Sequence, residues 1–184
     1  MYNDFQKFVI ESTHLHEDAL AHQIKVSEDV NKYSTWFIGI STAGIGLLIA
    51  RYDGFIESSW ICRTFSSYVL IVVGVLRLLS ISLGVWHHYL SLEENFYSRK
   101  LITFFGAQRL VSFFKHPDYP ESVPYDMHNR ISDGELLNDE KRNKFKYSQQ
   151  RAKELRACQS KVLKAQQIFA GIAYVLLFVV SAHI

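Results

Sequence analysis

Arg77 is the residue whose chemistry demands most explanation. It interrupts the run YVLIVVGVLRLLSISLGVWHHY, otherwise apolar from Tyr68 to Tyr89. A guanidinium near the centre of a bilayer costs between about 2.5 and more than 10 kcal/mol, so it must face protein or water. On a helix, Gly74, Arg77, Ile81, Gly84 and His88 share one face with Ser80 beside it, opposite Leu, Val and Ile. Such a small, polar face suits a water-lined pathway, with these residues and Thr42 as pore or gating candidates. It equally suits a structural lock, in which Arg77 snorkels or pairs with Asp53 or Glu57.

A second chemistry is anion binding. The stretch DEKRNKFKYSQQRAKELRACQSKVLKAQ, starting at Asp139, holds nine Lys and Arg among three acids, with Phe145 and Tyr147 interleaved. Basic residues beside aromatics suit nucleotide phosphates, nucleic acid or anionic lipid headgroups. The candidates are Lys141, Arg142, Lys144 and Lys146, joined by Arg99, Lys100 and Arg109 if the helices lie side by side. An ordinary basic flank of a membrane span would carry the same charges.

Other chemistries lack a pattern. His14-x-His16 and His87-His88 diverge on a helix, and no HExxH or paired Cys/His spacing occurs, so no metal or other cofactor is expected. No GxSxG, P-loop or GxGxxG is present, and the chain reads as a non-enzyme.

The elements that must position these residues are long helices. Hydrophobic residues make up 48% of the 184, yet mean hydropathy is +0.00, because apolar and charged residues are segregated. All three prolines, Pro117, Pro120 and Pro124, fall in one short segment, so nothing breaks helices elsewhere. The expected fold is an all-α integral membrane protein forming one membrane domain. Its spans are residues 33–50, 68–89 and 162–183, behind a cytoplasmic amphipathic helix at 1–32. About 18 residues of helix reach about 27 Å, close to the hydrocarbon thickness of about 30 Å. The ladder Gly39, Ala43, Gly46, Ala50 in the first span would let helices pack closely, within a protomer or between protomers.

Residues 90–161 carry 13 Lys and Arg, against Arg51 and Arg63 in the other connection. The positive-inside rule therefore puts this basic segment and the N-terminus in the cytoplasm and the C-terminus outside. Cys62 and Cys158 then lie on opposite sides and cannot pair. Residues 1–33 lack the apolar core of a cleavable signal peptide.

Amphipathic faces extend the spans. Phe8, Leu15, Ala19, Val26, Val30 and Tyr33 predict a buried stripe before the first. Leu90, Tyr97, Leu101, Phe104, Phe105, Val111 and Phe114 predict one after the second. Residues 116–133 read as an irregular loop. Ser132-Asp133-Gly134-Glu135 has the form of a capping box opening one long helix through the third span.

The helix HEDALAHQIKVSEDVNK, the small-residue span, and the second span continuing as HHYLSLEENFYSRKLITFFGAQRL resemble a known layout. It is that of small SLATT-type membrane effectors of bacterial antiphage defence, and of the channel effector of the Hailong system, over roughly residues 14–110. The third span and the proline-containing loop depart from that two-span pattern. The resemblance implies a homo-oligomeric channel in the bacterial inner membrane, for which a tetramer would serve. A nucleotide or short oligonucleotide from a partner nucleotidyltransferase would control it, with Arg77 near the conduit. A non-conducting anchor that recruits a partner protein is the alternative. Arg109 and His116 also match the loose Arg-x(4–6)-His spacing of HEPN ribonucleases, although Leu110 and Pro117 depart from it.

Overall fold

The computed structural model describes residues 4–58, 63–114 and 126–181, and every regular element among them is a helix. In chain order these are α1 (Asp4–Ser58), α2 (Arg63–Phe114), α3 (Met127–Ser132) and α4 (Asp139–Ser181). None contains proline, which explains why α1, α2 and α4 run for 55, 52 and 43 residues. Each of these three is long and apolar enough to cross a membrane. The chain divides into two compact units. Unit 1 combines Met1–Glu28 with Leu92–Arg156, and unit 2 combines Asp29–Ser91 with Ala157–Ile184.

Unit 1 packs around an apolar core. Its core is Phe5 and Val9 of α1, Leu101 and Phe105 of α2, Met127 and Ile131 of α3, Leu136 and Leu137, and Phe145 and Ala152 of α4. Phe145 meets Phe104 and Phe105 edge-on, at centroid distances of 5.9 and 5.4 Å. Such edge-to-face pairs add to the burial of their apolar area. Arginines tie the helices at the rim: Arg109 to Glu17, Arg151 to Glu93, Arg156 to Glu94, and Arg130 and Arg142 to Glu135.

The expected capping box does not start α4. Ser132 instead ends α3, its hydroxyl donating to the Asn129 carbonyl, and a turn follows. Gly134 has φ +72°, and a Cβ there would come within 2.8 Å of the Phe145 ring, so glycine is needed for both conformation and space. Asn138 caps α4, its Oδ1 accepting from the Lys141 N–H at 3.0 Å. Glu135 turns away to bind Arg130 and Arg142, which clamp α3 to α4. Part of the segment expected to be irregular is therefore helical.

Unit 2 inverts the usual distribution. Its buried residues include Ser34, Ser41, Arg77, Ser80, His87, Ser91 and Gln166, and its small apolar cluster is Leu48, Leu70, Val73 and Ala173. Large apolar side chains point outward, among them Trp36, Ile49, Leu78, Trp86, Val175 and Phe178. Only 17%, 28% and 11% of the residues in the three most apolar windows are buried.

Spacing explains how both units pack. Apart from Leu90, the buried positions of α2 are Leu70, Val73, Arg77, Ser80, Gly84, His87 and Ser91 in unit 2, and Glu94, Ser98, Leu101, Phe105, Gln108 and Ser112 in unit 1. Steps of three and four alternate throughout, the 3.5-residue period of coiled-coil seams. In α4 the same alternation runs through Phe145, Ser148, Ala152 and Leu155. This seam overrides the stripe expected on α1. Phe5, Gln6, Val9, Ser12 and Thr13 are buried there. Of the expected stripe, Phe8 packs half-buried against the unit 1 core and Val30 is half-buried, while Leu15, Ala19, Val26 and Tyr33 face outward. The stripe expected on α2 does turn inward at Leu90, Leu101 and Phe105.

Candidate functional site

Two regions carry chemistry, one in each unit. In unit 2, Arg77 is 3% exposed, and its guanidinium lies over Gly44, where any Cβ would overlap it. Its Nη1 donates to the Ile40 carbonyl at 3.2 Å, and its Nε has no partner among the described residues. The side chains of Asp53 and Glu57, the expected ion-pair partners, lie outside the described residues. Further along the seam Ser41 donates to Ser80, and Ser80 donates to the Gln166 carbonyl. Gln166 also joins α4 to α1, accepting from the Ser34 hydroxyl at 2.9 Å and donating to the Ser34 carbonyl at 3.2 Å. Gly84 makes room for this amide, since a Cβ there would collide with Gln166 and Ile38.

Of the pore or gating candidates, Arg77, Ser80 and Gly84 therefore turn into the protomer's own helix bundle. Ile81 is half-buried. Gly74 is half-buried beside an apolar groove with Ile45, Leu48 and Leu70. His88 Nε2 lies 2.9 Å from Thr35 Oγ1, whose proton goes to the Asn31 carbonyl. His87, absent from the sequence candidates, is 1% exposed, with Nδ1 unpartnered among the described residues. Thr42 faces outward, its hydroxyl bonded to the Ile38 carbonyl of its own helix.

The ladder Gly39, Ala43, Gly46 and Ala50 is exposed along its whole length, and a Cβ on either glycine would touch nothing within 4 Å. It takes no part in packing within the protomer among the described residues.

No family model, curated protein or solved structure matches this chain. Function therefore has to follow from the residues themselves.

In unit 1 the basic candidates separate according to their partners. Arg109 is held by Glu17 at 3.1 Å and by His14, and Arg142 by Glu135 at 3.0 Å. His116, the other half of the ribonuclease spacing, lies outside the described residues. Lys100 and Lys144 line one groove of about 570 Å³ with Phe104 and Tyr147. Both are engaged: Lys100 sits 4.4 Å from the Phe96 ring centroid, and Lys144 pairs with Glu140 at 2.5 Å. Arg99 and Lys141 are exposed and line neither groove.

Lys146 lies on a different, open groove of about 710 Å³, lined by residues of α1, α2 and α4. Its apolar floor includes Leu101, Phe105 and Ala152, and its rim carries Lys146, Lys153, Arg156 and the amides of Gln23 and Gln149. Lys146 and Lys153 make no ion pair among the described residues. Arg156 is half-exposed and holds Glu94, which is 1% exposed, at 2.8 Å.

Sequence reasoning missed Lys153, Arg156 and His16 as parts of one site. The available signal was the spacing of 146, 153 and 156, which puts three cations on one face of α4.

Proposed function

We propose that this chain is an integral membrane protein of the bacterial inner membrane, assembling into an oligomeric ion channel that acts as an effector of antiphage defence. The observation that carries the reading is the outward face of unit 2. Its large apolar side chains are suited to lipid, yet Gly39, Ala43, Gly46 and Ala50 form an exposed strip with nothing packed on it. In lipid, small residues serve close helix approach, so this strip fits contact between protomers. Three spans enclose no conduit alone, and a homo-oligomer such as a tetramer supplies one. The excess of Lys and Arg in residues 90–161 favours a cytoplasmic unit 1, with the N-terminus inside and the C-terminus outside. A nucleotide or short oligonucleotide from a partner nucleotidyltransferase would then reach unit 1 and control opening. No step of catalysis is required.

A second reading is favoured by one observation: Arg77, Ser80 and Gln166 bond within the protomer. That interior lock suits a non-conducting anchor that recruits a partner protein.

Ion flux through purified protein in liposomes, with and without cyclic and linear oligonucleotides, separates the two. Flux switched by a nucleotide supports the channel, and silence from folded, inserted protein supports the anchor. Arg77→Met retains volume and removes the buried charge, so the variant is expected to fold at least as well as the parent. Altered conductance or gating in it supports a role for Arg77 in conduction, and unchanged currents exclude that role.

A further inference from the structure

The groove containing Lys146 stands out because two of its cations, Lys146 and Lys153, make no ion pair among the described residues. At about 710 Å³ it falls within the range of about 300–1,000 Å³ typical of small-ligand sites. Its rim is cationic and its floor apolar, the combination that accepts a phosphate at one end and a planar ring at the other.

On α4, the rise of about 1.5 Å per residue puts Lys153 about 10.5 Å along the axis from Lys146, and Arg156 about 4.5 Å further. The three cations thus form a track rather than a single point. Opposite them stands His16 of α1. Phe105 stacks on its ring at 4.8 Å, and the His128 ring lies 5.0 Å away. His16 Nδ1 lies 2.7 Å from the Ser12 carbonyl and must donate to it. In the neutral ring Nε2 is then an acceptor, suited to the amino group of a base. Gln149 adds an amide that can both donate and accept. Inorganic phosphate would use only the cations, whereas a nucleotide would use both walls.

We propose that this groove binds a nucleotide, free or as the terminal residue of a short oligonucleotide, with its phosphates on Lys146, Lys153 and Arg156 and its base against His16 and Phe105. The proposal rests on the channel reading only for the biological role of that ligand. It also assigns a sensing contact. Arg156 holds the buried carboxylate of Glu94, and a phosphate drawing on the same guanidinium loosens the α4–α2 tie. Occupancy is thereby registered in the α2 seam, where Glu94 lies between Ser91 and Ser98.

The test uses the full chain in detergent, with a fluorescent ATP analogue and a 5′-phosphorylated single-stranded DNA tetranucleotide read by anisotropy. Saturable binding of either is expected, and the tighter one names the source. Lys146→Glu and Lys153→Glu each should weaken it at least about tenfold, the size of one lost charge-assisted phosphate contact. Lys141→Glu, outside the groove, should leave it unchanged. No saturable binding by folded protein overturns the proposal, as does binding indifferent to both groove variants. Displacement by pyrophosphate as effective as by ATP overturns the base contact, and binding only to phosphatidylglycerol vesicles overturns the nucleotide. Liposome flux separates the two readings. Binding without flux keeps the groove and removes the channel. Nucleotide-switched flux that survives the Lys146→Glu/Lys153→Glu double substitution removes the groove and keeps the channel.

Discussion

Unit 1 and unit 2 share the same seam spacing along α2, and polar residues enter it in both, yet what packs around the seam is opposite in the two. In unit 1 the seam reaches Leu101 and Phe105 and joins a core of phenylalanine, leucine and isoleucine, with ion pairs outside. In unit 2 the same 3.5-residue steps bring in Arg77, Ser80, Gly84 and His87, while leucine, valine and tryptophan face outward. Water drives apolar side chains inward because burial is worth about 25 cal/mol per Å². Inside hydrocarbon that drive vanishes, and helices associate through close packing and hydrogen bonds between small polar groups. The outward face of unit 2 is thus of the kind suited to hydrocarbon and that of unit 1 of the kind suited to water, although the seam spacing is the same.

The largest effect should come from the apolar core. Phe145→Ala removes a fully buried ring that touches Phe104 and Phe105, and about 3–5 kcal/mol of stability should go with it. Chemical denaturation of the purified protein measures this; a loss under about 1 kcal/mol would mean that unit 1 is not held by such a core.

A matched pair sharpens the contrast. Leu78 of unit 2 and Leu110 of unit 1 are almost equally exposed, at 58% and 59%. Leu78→Lys should cost about 3 kcal/mol of membrane insertion, whereas Leu110→Lys should stay within about 0.5 kcal/mol in stability. A glycosylation-tag insertion assay and thermal unfolding read the two, and equal tolerance would erase the distinction between the units.

Within the polar seam, Ser80→Ala removes the donor to the Gln166 carbonyl and the acceptor for Ser41. A loss of about 1 kcal/mol is expected in detergent-solubilised protein, as for an ordinary hydrogen bond. No change would show that the seam is held by packing alone.

The smallest effect concerns pH. The hydrogen bond from Arg130, with further help from Arg142, holds the Glu135 carboxyl below the usual range. A carboxylate with a lowered folded-state pKa contributes stability that is fully present above its unfolded pKa and is lost as pH falls through the folded one. Because the side chain is 31% exposed, about 1 kcal/mol or less is at stake. Acid unfolding monitored by circular dichroism should show the parent losing this increment below about pH 4, while Glu135→Gln loses it at every pH. Parallel acid profiles would remove the clamp from the account of the α3–α4 turn.

Some of this was legible in residue order. Prolines confined to residues 117–124 and long apolar runs are enough to expect three long helices, because helix formation and hydrophobicity are properties of local sequence. The burial of Arg77 was also foreseeable, since a guanidinium in an apolar run cannot face lipid. The start of α4 was not. Ser132-Asp133-Gly134-Glu135 has the right letters for a cap, but Gly134 must take positive φ beneath Phe145, and that contact comes from a residue eleven positions away.

By itself, then, the sequence determined the helical class, the three apolar stretches and the surplus of cations around residues 90–161. Which face of each helix is inner was decided only by tertiary packing. Charge and hydropathy report what a side chain prefers, but the 3.5-residue seam depends on how three helices fit together. That fit buried Thr13 and left Leu15 exposed, turned the Gly39–Ala50 ladder outward, and spent Arg109 and Arg142 on ion pairs. It also gathered Lys146, Lys153 and Arg156 opposite His16, a residue more than a hundred positions earlier in the chain.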